Sequence, residues 1–112
     1  MAIGDTLKAS VDTVRDMLGS DCTLNGTTDL GKCGIEELSP ERVRSILGEE
    51  FADEIESPWA VIECAAASGV KEGDEITVDV TGRDWLVRRV SKPMGGGVVI
   101  AERCICRGKT VE

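Results

Sequence analysis

The sequence predicts a mainly β fold of the α+β kind: a small antiparallel β-barrel or sandwich, with an N-terminal amphipathic helix and a long central loop containing a short helix. Three observations predict it. Apolar residues near the start recur at helical spacing, while several short apolar runs from Trp59 onward alternate or end at glycine turns, with no repeated helix between them. The chain has 112 residues, which suits one domain spanning 1–112. It is 41% apolar and 30% charged, and its longest apolar run falls far short of the ~20 residues a membrane-crossing helix needs, so no membrane role is expected.

The first element is a helix within residues 1–20. Ile3, Leu7, Val11, Val14 and Leu18 form one apolar stripe, Asp5 or Thr6 can cap its start, and Gly19 can end it. The stripe suits packing on its own domain or docking on a neighbouring subunit. Residues 21–38 read as a hairpin: Cys22-Thr23-Leu24, the turn Asn25-Gly26, then Thr27 to Leu38, bent or bulged at Gly31 and Gly34. Ser39-Pro40-Glu41 is a helix start, with Val43, Ile46 and Leu47 as a short apolar face and Gly48 as the stop. The rest of the 39–58 loop is strongly acidic, with Glu49, Glu50, Asp53, Glu54 and Glu56 inside eight positions. It reads either as a solvated surface or as a loop that meets a basic partner or lets DNA pass without sticking.

The second part of the barrel is expected over 59–106. Trp59 to Cys64 is a strand. Asp74 to Val80 alternates, with Ile76, Val78 and Val80 on one face. After the turn Thr81-Gly82-Arg83-Asp84, the run Trp85 to Val90 breaks alternation at Arg88-Arg89, as a β-bulge does. Gly95-Gly96-Gly97 then turns into a return strand from Val98 to Cys104. The triple glycine lacks the following helix and the Lys-Ser or Lys-Thr pair of a phosphate loop, so it reads as a flexible hairpin turn.

Composition bears on function mainly by exclusion. The chain has no His, which removes the commonest general base, the Ser-His and Cys-His nucleophile pairs and histidine-ligated metals. Three aromatic residues, Phe51, Trp59 and Trp85, provide no platform for stacking bases. The net charge of −8 disfavours binding to nucleic-acid phosphates. All of that charge lies in residues 1–58, which hold thirteen acids and five bases, whereas residues 59–112 hold eight of each. Arg83, Arg88, Arg89 and Lys92 form a basic strip that can meet the acidic half of an identical neighbour head to tail. No enzyme activity, catalytic residue, metal or cofactor is assigned.

The start of the chain lacks the basic and apolar regions of a secretory peptide, so a reducing cytosol is the expected compartment. The five cysteines, Cys22, Cys33, Cys64, Cys104 and Cys106, include no CxxC pair. They read as small, partly buried apolar side chains, with a metal site built from Cys22, Cys33 and the Cys104/Cys106 pair, or a disulfide, as alternatives.

A resemblance adds a role. The order Val70-Lys71-Glu72-Gly73-Asp74-Glu75-Ile76-Thr77-Val78, a turn, Trp85-Leu86-Val87-Arg88-Arg89-Val90-Ser91, a glycine-rich turn and an apolar last strand resembles the small head-tail joining proteins of tailed bacteriophages, the lambda-type head-tail attachment family. The likeness covers about 100 residues, from the amphipathic helix through the hairpin and central loop to the barrel. It implies a structural virion protein, made in the host cytoplasm and placed in the neck below the portal and adaptor. There it would form a ring, six-fold or twelve-fold, that retains packaged DNA and docks a tail terminator or other tail protein. It leaves open whether the free chain is a monomer.

Within the motif, Gly73, Asp74, Ile76, Val78, Trp85, Val87, Arg89 and Val90 are then scaffold residues, and the acidic central loop lines the lumen through which DNA passes without specific binding. The turn Ser91-Lys92-Pro93-Met94-Gly95 departs from the acids common there in the family. Two other readings remain beside it: a phage tail-end or tail-tube protein of similar fold, and a cytosolic acidic binding module with a thiol-ligated metal.

Overall fold

A computed structural model describes residues 3–48 and 58–108. The acidic positions Glu49, Glu50, Asp53, Glu54 and Glu56 lie outside these described residues.

Helix α1 spans Ile3–Leu18, the range set by the apolar stripe, and the Gly19 N–H closes its end by donating to the Arg15 carbonyl at 2.7 Å. Strands β1 (Ser20–Leu24) and β2 (Thr28–Leu38) form the predicted hairpin. Its turn needs two consecutive left-handed residues, and Asn25 and Gly26 supply them with φ of 51° and 74°. The ladder shifts register where Cys22 faces Gly31 and Thr23 faces Asp29, so the bulge falls at Leu30-Gly31. Helix α2 spans Pro40–Leu47. Ser39 accepts from the Arg42 N–H and Pro40 occupies the first turn, as its sequence signature requires.

Strands β3 (Trp59–Cys64), β4 (Glu75–Val78), β5 (Arg83–Ser91) and β8 (Glu102–Gly108) complete a closed antiparallel barrel in the order β1-β2-β3-β8-β5-β4, with β4 pairing back to β1. Closure decides between barrel and sandwich, and it removes the unpaired strand edges that a sandwich keeps. The bulge expected at the paired arginines is present: Val87 faces Cys106 and Arg89 faces Ile105, leaving Arg88 as the extra residue.

Two strand expectations are corrected. The strand read as Asp74 to Val80 ends at Val78, because the Thr81 and Gly82 N–H groups both donate to the Val78 carbonyl and turn the chain. Val80 therefore leaves the sheet and is 80% exposed. The return strand read as Val98 to Cys104 is divided. Met94–Gly95 (β6) and Val98–Val99 (β7) make a separate small hairpin through Gly96-Gly97, and β8 begins afresh at Glu102 and runs to Gly108. Alternation could not reveal that break, since Val98 to Ala101 are all apolar and suit either arrangement.

Two cores result. The barrel interior is filled by inward positions of every strand, with Ile62, Ile76, Trp85 and Val87 and all five cysteines among them. A second cluster lies outside the barrel, where Val43 and Leu47 of α2 cover Trp59, Val61 and Ile105. This explains why Trp59–Ile62 is buried on both faces. Helix α1 packs by its first turns on the β6–β7 hairpin. Gly4 permits the approach: a Cβ there would stand 2.5 Å from the Gly95 carbonyl oxygen and 2.6 Å from a Val98 methyl.

Candidate functional site

The predicted helix stripe divides into two halves. Ile3 is at the start of α1, and Leu7 reaches Gly95 on the β6–β7 hairpin. Val11 is half-buried. At the other end Val14 is 55% exposed and Leu18 is 80% exposed. These two border a groove of about 320 Å³ between the end of α1 and the outer face of β2 and β3, with Glu36, Val61 and Glu63 opposite them. Val61 also belongs to the cluster under α2, so the outer face of β3 is shared between helix cover and open groove.

Arg15 is the polar centre of that groove. Its side chain is only 5% exposed, and its Nη2 donates to Asp12, which also accepts from Lys8 at 3.0 Å. Burial pushes the Asp12 carboxyl up, but the hydrogen bonds and charges of Lys8 and Arg15 outweigh it and hold it below its ordinary value. The Arg15 Nη1 is buried and has no hydrogen-bond partner among the described residues. At the rim, the Arg103 Nε lies 3.6 Å from a Glu63 carboxylate oxygen. Neither Arg15 nor this groove stands out in the sequence; the sole hint is a basic residue one position beyond an apolar stripe position.

The basic strip residues occupy different parts of β5 and its exit. Arg83 stacks over the Trp85 ring, 4.4 Å from its centroid, and pairs with Glu37 at 3.7 Å. Arg88 is the bulged residue, Arg89 sits beside Ile105 on the ladder, and both are half-buried with partners of their own. Lys92 is exposed beyond the end of the strand.

The five cysteines are fully buried inside the barrel, a correction to the expectation of partial burial. Their strands bring Cys22, Cys33, Cys64 and Cys104 into one cluster, in which the Cys33 thiol donates to the Cys64 sulfur at 3.5 Å and the Cys22 thiol to the Ser20 carbonyl at 3.6 Å. Cys22 is pushed far up by its bond to Cys33 and by burial. The bond from Cys22 pulls Cys33 down, but its bond to Cys64 and burial prevail and raise it to about 12. Cys64 is raised first by its bond to Cys104, and Cys106 by burial. Thiols held protonated in this way are poor metal ligands and poor nucleophiles. No group of three His, Cys, Asp or Glu side chains is placed to hold a metal among the described residues. The interior is a packed core lined with small soft side chains.

One further buried polar group organises a loop. Glu102, 1% exposed, accepts from the Val70 N–H at 3.0 Å and the Gly69 N–H at 3.2 Å, so its carboxylate holds the 65–70 loop against the start of β8. Asp74 does similar work one turn later, accepting from the Lys71 N–H at 2.9 Å and from the Asn25 side-chain amide at 3.2 Å.

Fold and site together define a class: a small closed six-stranded antiparallel barrel, flanked by two helices and carrying an open apolar groove with a buried arginine at its centre. Comparison with known protein families, curated proteins and solved structures finds no match.

Proposed function

We propose that this chain is a structural subunit of a tailed-phage neck, joining the DNA-filled head to the tail as one member of a ring. The observation that carries the reading is the pairing of the two motif segments. Gly73-Asp74 leads into β4, and β4 pairs with β5 so that Ile76 faces Trp85 and Thr77 faces Asp84. Both strands belong to a barrel preceded by an amphipathic helix, the arrangement that the resemblance implies.

The placement of apolar groups supports a role in assembly. Val14, Met17 and Leu18 of α1 and Ile35 of β2 remain exposed on a molecule whose barrel interior is filled. Exposed aliphatic side chains that collect around one groove are what a subunit interface requires. The acidic surplus suits the same role, since carboxylates facing a channel repel the DNA backbone and let it slide.

Particles assembled without this chain test the reading. DNA-filled heads should then accumulate separately from tails and lose their DNA, and adding the purified chain should restore joining. Heads that join tails normally in its absence would overturn it.

A further inference from the structure

We infer that Cys33 and Cys64 are a modification site, where a cross-strand disulfide between β2 and β3 forms by exchange with a low-molecular-weight disulfide such as oxidised glutathione. It goes beyond the neck reading and does not depend on it.

Register selects the pair. Strands β2 and β3 are matched from Leu38–Trp59 to Gly34–Glu63, and the next step along both sets Cys33 opposite Cys64. Both side chains enter the barrel interior, where the two sulfurs stand 3.5 Å apart. Directly opposed residues of an antiparallel ladder have Cα atoms about 4.5–5.5 Å apart, inside the span of about 4.4–6.8 Å that a disulfide bridges. The sulfurs need to close by roughly 1.5 Å, a movement within reach of side-chain rotation.

The other three thiols share the interior but not this register. Cys22 faces Gly31, two residues from Cys33, and Cys104 faces Ile62, two residues from Cys64. Such diagonal neighbours lie about 7–8 Å apart, beyond the usual disulfide span. Cys106 faces Ala60 on one ladder and Val87 on the other. Of the ten pairings that five cysteines allow, Cys33–Cys64 alone joins directly opposed positions.

The closed barrel shields both thiols, which are fully buried, and Cys33 is pushed up to about 12. Exchange therefore takes place on chains that are folding or have opened, where each thiol ionises near its ordinary value of 9.0. One protein thiolate attacks a sulfur of oxidised glutathione, breaking its S–S bond and releasing a glutathione thiolate, which takes a proton from water. The other protein thiolate attacks the mixed disulfide at its protein sulfur and expels the second glutathione. Two protein thiols are oxidised to one disulfide, and one glutathione disulfide is reduced to two thiols.

The bond ties together the two ends of the excursion between β2 and β3, which carries α2 and the acidic segment. In the chain-entropy account, closing a loop of about 30 residues lowers the unfolding equilibrium constant about 100-fold or more. In a reducing compartment the pair stays as thiols. Where disulfides prevail, the same chain becomes cross-linked.

Refolding of the reduced chain at pH 8, in a mixed buffer of reduced and oxidised glutathione that lets wrong pairings reshuffle, tests the assignment. Trypsin cuts after Lys32, Arg42, Arg44, Lys71 and Arg103, which puts Cys22, Cys33, Cys64 and the Cys104/Cys106 pair on separate peptides. With remaining thiols alkylated in denaturant, non-reducing peptide mass analysis should find the Cys33 peptide joined to the Cys64 peptide. The oxidised chain should unfold at a higher urea concentration than the reduced one. Cys33→Ala should abolish that rise and Cys106→Ala should keep it, each variant being compared with its own reduced form so that the cost of substitution cancels. The wild-type comparison decides by itself if a variant fails to fold.

A different pairing, a mixture of pairings, or glutathione left attached overturns the inference. So does a chain that refolds with five free thiols, or a Cys33–Cys64 bond that lowers the urea midpoint. The head-joining assay above is read separately, and each of these results leaves the neck reading standing.

Discussion

Asn25 shows how much one side chain can decide. It adopts the left-handed conformation of the β1–β2 turn, its side-chain oxygen accepts from the Glu75 N–H at 2.8 Å, and its amide donates to Asp74 at 3.2 Å. Turn and barrel corner are thus tied together by one residue, at the edge where β4 meets β1. Asn25→Ala should lose ~2 kcal/mol in urea unfolding, from two hydrogen bonds and a disfavoured φ, whereas Asn25→Gly should lose less because only the hydrogen bonds go. Glu102 is the other such residue. Glu102→Ala leaves the Gly69 and Val70 N–H groups without their acceptor and should cost about 2–4 kcal/mol. Glu102→Gln keeps one acceptor oxygen and should cost about half as much, read from the same unfolding midpoints.

Among the elements, the two helices differ in how their positions are set. Helix α2 is short, so its cap and its buried face carry it: Ser39→Ala should cost ~1 kcal/mol, and Val43→Ala about 2 kcal/mol through the space left under the helix. Helix α1 instead depends on close backbone approach at Gly4. Gly4→Ala must push the helix off the β6–β7 hairpin, and faster amide exchange in α1 and β6–β7, with the barrel strands unchanged, is the expected result. The limits of α1 were legible from the stripe and the terminal glycine, whereas Asp5 and Thr6, read as possible caps, lie inside the first turns of a helix that already begins at Ile3. The same stripe did not disclose that Leu7, still 43% exposed, reaches the β6–β7 hairpin while Val14 and Leu18 border a groove. Helical periodicity reports which residues share a face and is silent about what covers that face.

For the whole molecule, the packed thiol interior makes stability depend on pH in the alkaline range. A thiol whose pKa is raised by folding is protonated in the native state while the unfolded chain ionises above its ordinary 9.0, so the unfolded state binds fewer protons and stability falls as pH rises. Stability should be level below about pH 8 and decline from pH 9 toward 12, the window set by Cys33, and Cys106→Ala should flatten the decline. In the folded chain all five thiols should resist a thiol reagent at pH 8 and react together after denaturation.

What the residues determine by themselves is local: the extent of α1, the Asn25-Gly26 turn, the Ser39 cap of α2 and the bulge at Arg88-Arg89, each a matter of neighbouring side chains and backbone preference. The mainly β barrel class was legible from short alternating runs. Tertiary structure decided the rest. It closed the barrel through β4 and β1, released Val80 from its strand, divided the apolar stretch before Glu102 and gathered five distant cysteines into one interior. It also left Arg15 buried beside an open groove. The physical reason is the same in each case: local preference depends on residues within a few positions, whereas burial, pairing and a missing hydrogen-bond partner depend on segments that meet only after the chain has closed on itself.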